Sequence, residues 1–68
     1  MASTIAADPA VRNRLHRIEG QVRGVQRMID DQRPVADILV QVAAVRAALA
    51  GVGRELVLAQ ARDGSSIA

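Results

Sequence analysis

The chain has 68 residues, no Cys, Phe, Trp or Tyr, and a formal net charge of +2. Its length limits it to one domain, and the absence of cysteine excludes disulfides and any cysteine-based zinc, copper or iron–sulfur site. One histidine and seven carboxylates are too few for a transition-metal cage within a single chain. Because so short a chain buries little surface when it folds alone, we expect its stability to come from association between chains.

The N-terminal segment MASTIAADPAV lacks the basic and apolar regions of a secretory signal. No stretch approaches the roughly 18 unbroken apolar residues of a membrane span. We therefore expect a cytoplasmic protein that does not associate with membranes.

The first predicted element is a helix over about 9–31. Residues 1–8 are alanine-rich and aperiodic, which is typical of a mobile tail. Asp8 followed by Pro9 is a common helix start, with Asp as the cap. Apolar residues then recur at spacings of three and four and form one stripe on a helix. The stripe consists of Val11, Leu15, Ile18, Val22, Val25 and Ile29.

A break at DDQRP, residues 30–34, separates this helix from a second one over about 34–62. Pro34 cannot continue the first helix but can open the next, and Asp37 suits the positive end of that helix. The second stripe consists of Val35, Ile38, Leu39, Val42, Val45, Leu49, Val52 and Leu56. Residues 63–68, DGSSIA, are predicted to cap the helix and then fray.

The short connection predicts an all-α antiparallel hairpin, because no segment has the alternating pattern of a strand. Two such hairpins can bury their apolar stripes in a four-helix bundle. Residues 43–53, AAVRAALAGVG, are mostly small and allow helix backbones to approach closely. This composition suits the interface of a dimer or a tetramer.

The first helix carries an unusual concentration of positive charge. All nine basic residues of the chain are arginine, and five of them fall within sixteen residues of this helix. On a helical wheel at about 100° per residue, Arg12, Arg23 and Arg27 fall within roughly 60° of one another, and His16 lies among them. A guanidinium group can bond two phosphate oxygens at once, and without aromatic residues to stack on bases a duplex is the expected nucleic acid. The alternative is a solvated charged surface, partly neutralised by neighbouring acidic residues.

Gly20 and Gly24 lie on or beside this basic surface. Each costs about 1 kcal/mol relative to alanine inside a helix. Such a cost suggests a close approach by either a neighbouring helix or a phosphate backbone. No nucleophile–base pair, carboxylate pair or phosphate-binding loop is present, so we expect no enzyme activity and no cofactor.

Two blocks, RLHRIEGQVRGVQRMIDDQR and DILVQVAAVRAAL, resemble the family of metal- and sulfur-responsive repressors that includes copper-sensing, nickel/cobalt-sensing and formaldehyde-sensing regulators. The resemblance implies an antiparallel four-helix-bundle dimer and a disc-shaped dimer of dimers. It also implies a repressor that binds double-stranded DNA without a helix-turn-helix until an inducer reshapes the tetramer. Arg14, Arg17 and Arg23 match the basic motif of the family and take its DNA-binding role. Arg12, His16 and Arg27 join them through the helical wheel.

The sensor positions depart from the family pattern. The usual inducer-binding cysteine at the start of helix two is replaced by Val35, and the later His and Cys of copper sensors are replaced by Gln60 and Gly64. Thiolate chemistry is therefore impossible in this chain. The expectation is a repressor without a metal, whose inducer is a different small molecule near Val35 and Gln60 or does not exist. Arg46 lies in the apolar stripe and could pair with an acidic residue, Asp37 or Glu55, of another subunit.

Two other interpretations remain open. The chain could be a structural or co-regulatory bundle partner of an intact paralogue and not bind DNA itself. It could also be a small helical enzyme with an arginine-lined site, although no matched catalytic set supports this.

Overall fold

The computed structural model describes the backbone of residues 9–63 and the side chains of residues 9–62. Helix α1 spans Pro9–Asp30 and helix α2 spans Val35–Asp63, and no strand occurs among these residues. The two helices pack against each other in a rod of 50 × 18 × 16 Å. This confirms the predicted all-α helical hairpin. The predicted tails lie outside the described residues, except that the backbone of Asp63 belongs to α2.

Helix α1 ends in a hydrogen-bonded cap that the sequence analysis did not anticipate. The Arg33 N–H donates to the Met28 carbonyl at 2.9 Å, and the Gln32 N–H donates to the Ile29 carbonyl at 3.0 Å. These two bonds satisfy carbonyls that the end of a helix would otherwise leave unpaired. Gln32 has a φ of 56°, the left-handed conformation that glycine usually supplies at this position.

Pro34 precedes α2 rather than forming its first residue. Its carbonyl accepts hydrogen bonds from the Asp37 N–H at 3.0 Å and the Ile38 N–H at 3.1 Å, which makes it the N-cap. Proline suits this place because it has no N–H that would need a partner. Arg33 and Asp37 form an exposed ion pair at 3.6 Å across the connection. Such an exposed pair contributes little stability.

The contact between the helices follows a seven-residue repeat, which we call the hairpin seam. Side chains at this spacing stay on one side of a helix that winds around a neighbour. The seam residues are the buried and half-buried residues at this spacing: Val11, Ile18 and Val25 of α1 and Ile38, Val45, Val52 and Ala59 of α2. Of these, Val11, Ile18, Val45 and Val52 pack together in one cluster, which Ala48 joins. Among the described hydrophobic residues only Val11, Ile18, Val52 and Ala59 are buried. The hairpin alone therefore has a very small core.

A second apolar row remains exposed on one side of the hairpin. All of its members except Val35 follow a seam position by four residues, and Val35 precedes Val42 by seven, so that both helices contribute to the same side. This outer apolar stripe consists of Leu15, Val22 and Ile29 of α1 and Val35, Val42, Leu49 and Leu56 of α2. Their exposure ranges from 37% for Val42 to 70% for Val35. Half of the residues in the two predicted apolar stripes, 7 of 14, thus lie in this exposed row.

Helix α2 is apolar around most of its circumference. Within Val35–Arg62 a window reaches a mean hydropathy of 1.8, and 11% of that window is buried. By length and composition this helix could cross a membrane. The sequence predicted no such helix, because it contains no unbroken apolar run of the required length. A helix that is apolar all round is also typical of the centre of a larger soluble assembly. α2 thus requires an apolar environment that α1 alone does not provide.

Replacing Gln32 by glycine is expected to stabilise the fold, because glycine adopts the left-handed conformation without steric cost. We expect Gln32→Gly to gain about 0.5–1 kcal/mol and the control Gln26→Gly, in the exposed interior of α1, to lose about 1 kcal/mol. Urea unfolding at a fixed protein concentration measures both changes. Equal losses at the two positions would contradict the role assigned to Gln32.

Candidate nucleic-acid interface

The basic side chains of α1 lie on two sides of its apolar surface. On one side Arg12, His16 and Arg23 line an open groove, which we call the outer groove. The outer groove is completed by Leu15, Ile18, Glu19 and Val22. Arg27 lies one turn beyond Arg23 and is exposed in the last turn of α1, where a positive charge is favoured by the helix dipole.

One acidic residue reduces the positive charge of the outer groove. The Glu19 Oε1 atom lies 3.3 Å from the Nδ1 atom of His16, and both side chains are mostly exposed. The contact is an ion pair only when His16 is protonated. The arginines therefore carry the permanent positive charge of this groove.

Arg14 and Arg17 lie on the other side of the hairpin seam. Together with Gln21 they line a cleft between the helices, which we call the inter-helix cleft; Ile18 and Ala48 complete it. Arg14 is half-buried, and its Nε atom is buried without a hydrogen-bond partner. Such an unsatisfied donor is uncommon in folded proteins because its desolvation is uncompensated.

Gly51 of α2 allows the Arg14 side chain to lie across the second helix. A Cβ atom at this position would lie 2.8 Å from the Nη1 atom and 3.3 Å from the Cζ atom of Arg14. The same point is 3.6 Å from the Nη2 atom of Arg54. The side-chain gap at Gly51 therefore brings two guanidinium groups from different helices together.

Arg54 was not among the residues predicted from the sequence. It follows Gly51 by three residues and so lies on the same side of α2. The helical pattern could have indicated this neighbourhood, but not that Arg14 of the other helix reaches it. That contact depends on the register of the hairpin.

The six predicted DNA-binding residues thus form two groups rather than one row. Arg12, His16 and Arg23 surround the outer groove, with Arg27 beyond it, whereas Arg14 and Arg17 line the inter-helix cleft. Within one hairpin the hairpin seam separates the two groups.

The two α1 glycines are not required by packing within the described chain. A Cβ atom at Gly20 would meet only the Arg23 Nη2 atom, at 3.9 Å, and one at Gly24 would meet nothing within 4 Å. The close approach predicted at these glycines would have to come from outside the described residues. Whether a second subunit or a phosphate backbone approaches them stays a prediction.

Val35 and Gln60 cannot line one pocket within a single chain. They are exposed on the same helix and 25 residues apart, which corresponds to about 37 Å at 1.5 Å per residue. Gly64, the third sensor position, lies outside the described residues. Among the described residues no group of three or more His, Asp or Glu side chains could hold a metal ion. A pocket at Val35 and Gln60 therefore needs a second chain.

Arg46 is exposed on α2, whereas Asp37, one of its proposed partners in another subunit, already pairs with Arg33 in the same chain.

Comparison with known proteins gives a consistent result. The family described as "Metal-sensitive transcriptional repressor" matches residues 7–64. The copper-sensing transcriptional repressor CsoR of Bacillus subtilis (strain 168) is 54% identical over 46 residues, which are 68% of this chain and 46% of that protein. The transcriptional repressor RcnR of Escherichia coli O9:H4 (strain HS) is 35% identical over 57 residues, which are 84% of this chain and 63% of that protein.

A solved structure supports the same relationship. The copper-sensing repressor CsoR with Cu(I) from Geobacillus thermodenitrificans NG80-2 is similar with a TM-score of 0.77 and 47% identity, and the match covers 91% of this chain and 65% of that chain. The chain thus spans about half to two thirds of the length of these relatives. With a family match over most of its residues and the same helical hairpin, this chain belongs to the metal-sensitive transcriptional repressor family.

Proposed function

We propose that this protein is a DNA-binding transcriptional repressor that acts as a homo-oligomer and lacks the thiol sensor. The observation that carries the proposal is the concentration of arginines on α1, on both sides of its apolar surface, in a member of a repressor family. Duplex DNA is the partner that fits, because the chain has no Phe, Trp or Tyr to stack on unpaired bases.

The outer apolar stripe supports assembly of two hairpins into a four-helix bundle. Two antiparallel copies that face each other would cover it on both chains. Helix α2 exposes further large apolar side chains away from this stripe: Leu39, Val40, Val57 and Leu58. A second interface, in a disc-shaped dimer of dimers, would cover these as well. α2 would then occupy the centre of a cytoplasmic assembly and α1 its periphery, so that membrane insertion is not needed to explain its hydropathy.

Binding to DNA would be largely electrostatic. Arginines from several subunits would neutralise phosphates and release condensed counterions, so that affinity falls steeply with salt concentration. A broad helical surface without a projecting recognition helix favours readout of the shape of the duplex. Arg12, Arg14, His16, Arg17, Arg23 and Arg27 are the proposed DNA-binding residues.

The proposed repressor does not respond to copper through thiolates. The relatives from Bacillus and Geobacillus are copper-sensing, whereas this chain has no cysteine to supply such a ligand. An inducer of another chemistry would bind where Val35 of one subunit approaches Gln60 of another. A constitutive repressor without an inducer is the other form of this proposal.

A second candidate function is a bundle partner of an intact paralogue. It is favoured by one observation: the surfaces suited to assembly are present while the cysteine sensor positions are occupied by other residues. Such a partner would form mixed bundles and would not bind DNA on its own.

Removing the motif arginines tests the proposed DNA-binding role. We expect the joint replacement of Arg14, Arg17 and Arg23 by alanine to reduce the magnitude of the slope of log affinity against log salt concentration by about 2–3. A control with the same charge change replaces Arg33, Arg46 and Arg62 and is expected to retain most of the slope. Gel shifts with duplex DNA from low to moderate salt measure both. If the parent protein shifts no duplex at low salt, the bundle-partner function is favoured instead.

A charge in the outer apolar stripe is expected to prevent assembly. Leu49→Glu would bury an unpaired carboxylate in the interface, whereas Gln41→Glu adds the same charge at an exposed polar position of the same helix. We expect light scattering to show dissociation for the first variant only, and circular dichroism to show loss of helix because a single hairpin has so small a core. Retention of the parent mass by Leu49→Glu would refute this interface.

Copper(I) at stoichiometric amounts is expected to leave the protein bound to DNA. Introducing the family ligands as Val35→Cys, Gln60→His and Gly64→Cys is expected to create copper(I) affinity, because thiolate and imidazole are ligands that this ion favours. Competition with a copper(I) chelator measures binding, and a fluorescently labelled duplex reports release. Release of the parent by stoichiometric copper(I) would contradict the loss of the sensor.

A further inference from the structure

We propose that Arg54 joins Arg14 and Arg17 in an oxyanion site that spans both helices, with Gly51 at its base. The ligand is an oxyanion of the phosphate type, either a phosphate of duplex DNA or free inorganic phosphate. As a DNA contact the site rests on the proposed function, whereas as a site for free phosphate it does not.

The first support is the proximity of two like charges. The Arg14 Nη1 and Arg54 Nη2 atoms lie 2.8 Å and 3.6 Å from the same point above Gly51, so they are separated by no more than the sum of these distances. Two guanidinium groups this close repel each other. Neither takes part in the ion pairs His16–Glu19 and Arg33–Asp37. An anion between them would convert the repulsion into two favourable contacts.

The second support is the unused hydrogen-bonding capacity of this cluster. The Nε atom of Arg14 is buried and has no partner, which is costly for a charged donor. Arg17 and the side-chain amide of Gln21 line the same cleft and can donate as well. A tetrahedral oxyanion offers several acceptors, and guanidinium groups bind such anions with paired hydrogen bonds.

The third support is the position of the cleft relative to the outer apolar stripe. All residues of that stripe except Val35 follow seam positions by four, whereas Arg14 follows Val11 by three and Ala48 follows Val45 by three. On a helix these two offsets fall on opposite sides of the seam position. A dimer formed through the outer apolar stripe would therefore leave the inter-helix cleft open to a ligand. Arg54 precedes Val57 and Leu58 by three and four residues, so in a dimer of dimers the site would lie at the border of the second interface.

Gly51→Ala is the sharpest test, because it changes no charge. The new methyl group would lie too close to the Arg14 guanidinium group and displace it, while alanine favours the helix. Gly53→Ala is the matched control, since a Cβ atom there would meet nothing within 4 Å. We expect Gly51→Ala and Arg54→Ala each to lower the salt-dependence slope for duplex binding by about 1. Gly53→Ala and Arg54→Lys are expected to keep the parental slope.

The free-phosphate arm uses nuclear magnetic resonance of the arginine Nε–Hε groups. Inorganic phosphate is titrated against chloride at matched ionic strength. A phosphate-specific shift of the Arg14 and Arg54 signals that Gly51→Ala abolishes would support a site for free phosphate. A reduced duplex slope without such a shift would assign the site to a DNA phosphate.

The outcomes separate this site from the proposed function. If the parent binds no duplex but shows the phosphate shift, the repressor function fails and the site stands. The site is refuted and the function stands if three results occur together. The parent binds duplex, Gly51→Ala and Arg54→Ala keep the parental salt-dependence slope, and phosphate causes no shift of the arginine signals. Circular dichroism of all variants, with Gly53→Ala as reference, identifies any loss caused by unfolding.

Discussion

The structure depends on a hairpin seam that is too small to stabilise the chain by itself. A seven-residue repeat joins the helices, yet only Val11, Ile18, Val52 and Ala59 are buried hydrophobic residues among those described. Ordering a residue costs roughly 1.5 kcal/mol, and so small a core cannot offset that cost over two helices. The remaining apolar side chains stay exposed, so the hairpin is best regarded as half of a core. The proposed assembly between chains would supply the other half.

The same constraint determines where positive charge can lie. In the proposed dimer the outer apolar stripe would be covered, and an arginine within that stripe would be buried without a partner. The basic residues of α1 flank this stripe and do not lie within it: one group lines the outer groove beside Leu15 and Val22, and Arg14 and Arg17 line the inter-helix cleft. An assembly that covers the apolar surfaces would therefore keep both basic groups at its periphery. Helix packing and the proposed DNA binding use different sides of the same short helix.

Glycine has separate uses along the two helices. In α1, Gly20 and Gly24 meet no close neighbour within the described chain, so their role concerns whatever approaches from outside. In α2, Gly51 has a role inside the hairpin, because a Cβ atom there would force the guanidinium end of Arg14 to move. The small residues of the 43–53 segment are thus not interchangeable. Gly51 accommodates a charged side chain from α1, whereas Gly53 has open space around it.

From the sequence alone, the spacing of apolar residues determined two helices, and Pro34 together with the polar residues before it determined the break between them. The family and its missing cysteines were also readable, because they depend on residue identity and not on folding. What only the tertiary structure decided is how side chains from the two helices meet. A helical wheel treats α1 in isolation, so it places Arg14 among the surface arginines and has no information about Arg54. The register of the hairpin aligns Arg14 with Gly51, and the left-handed conformation of Gln32 caps the end of α1 at the turn. The contact of Arg14 with Gly51 is a consequence of packing between segments that are distant in sequence, which local periodicity does not contain. The Gln32 cap is local, but the residue type does not indicate it, because glycine usually occupies this position.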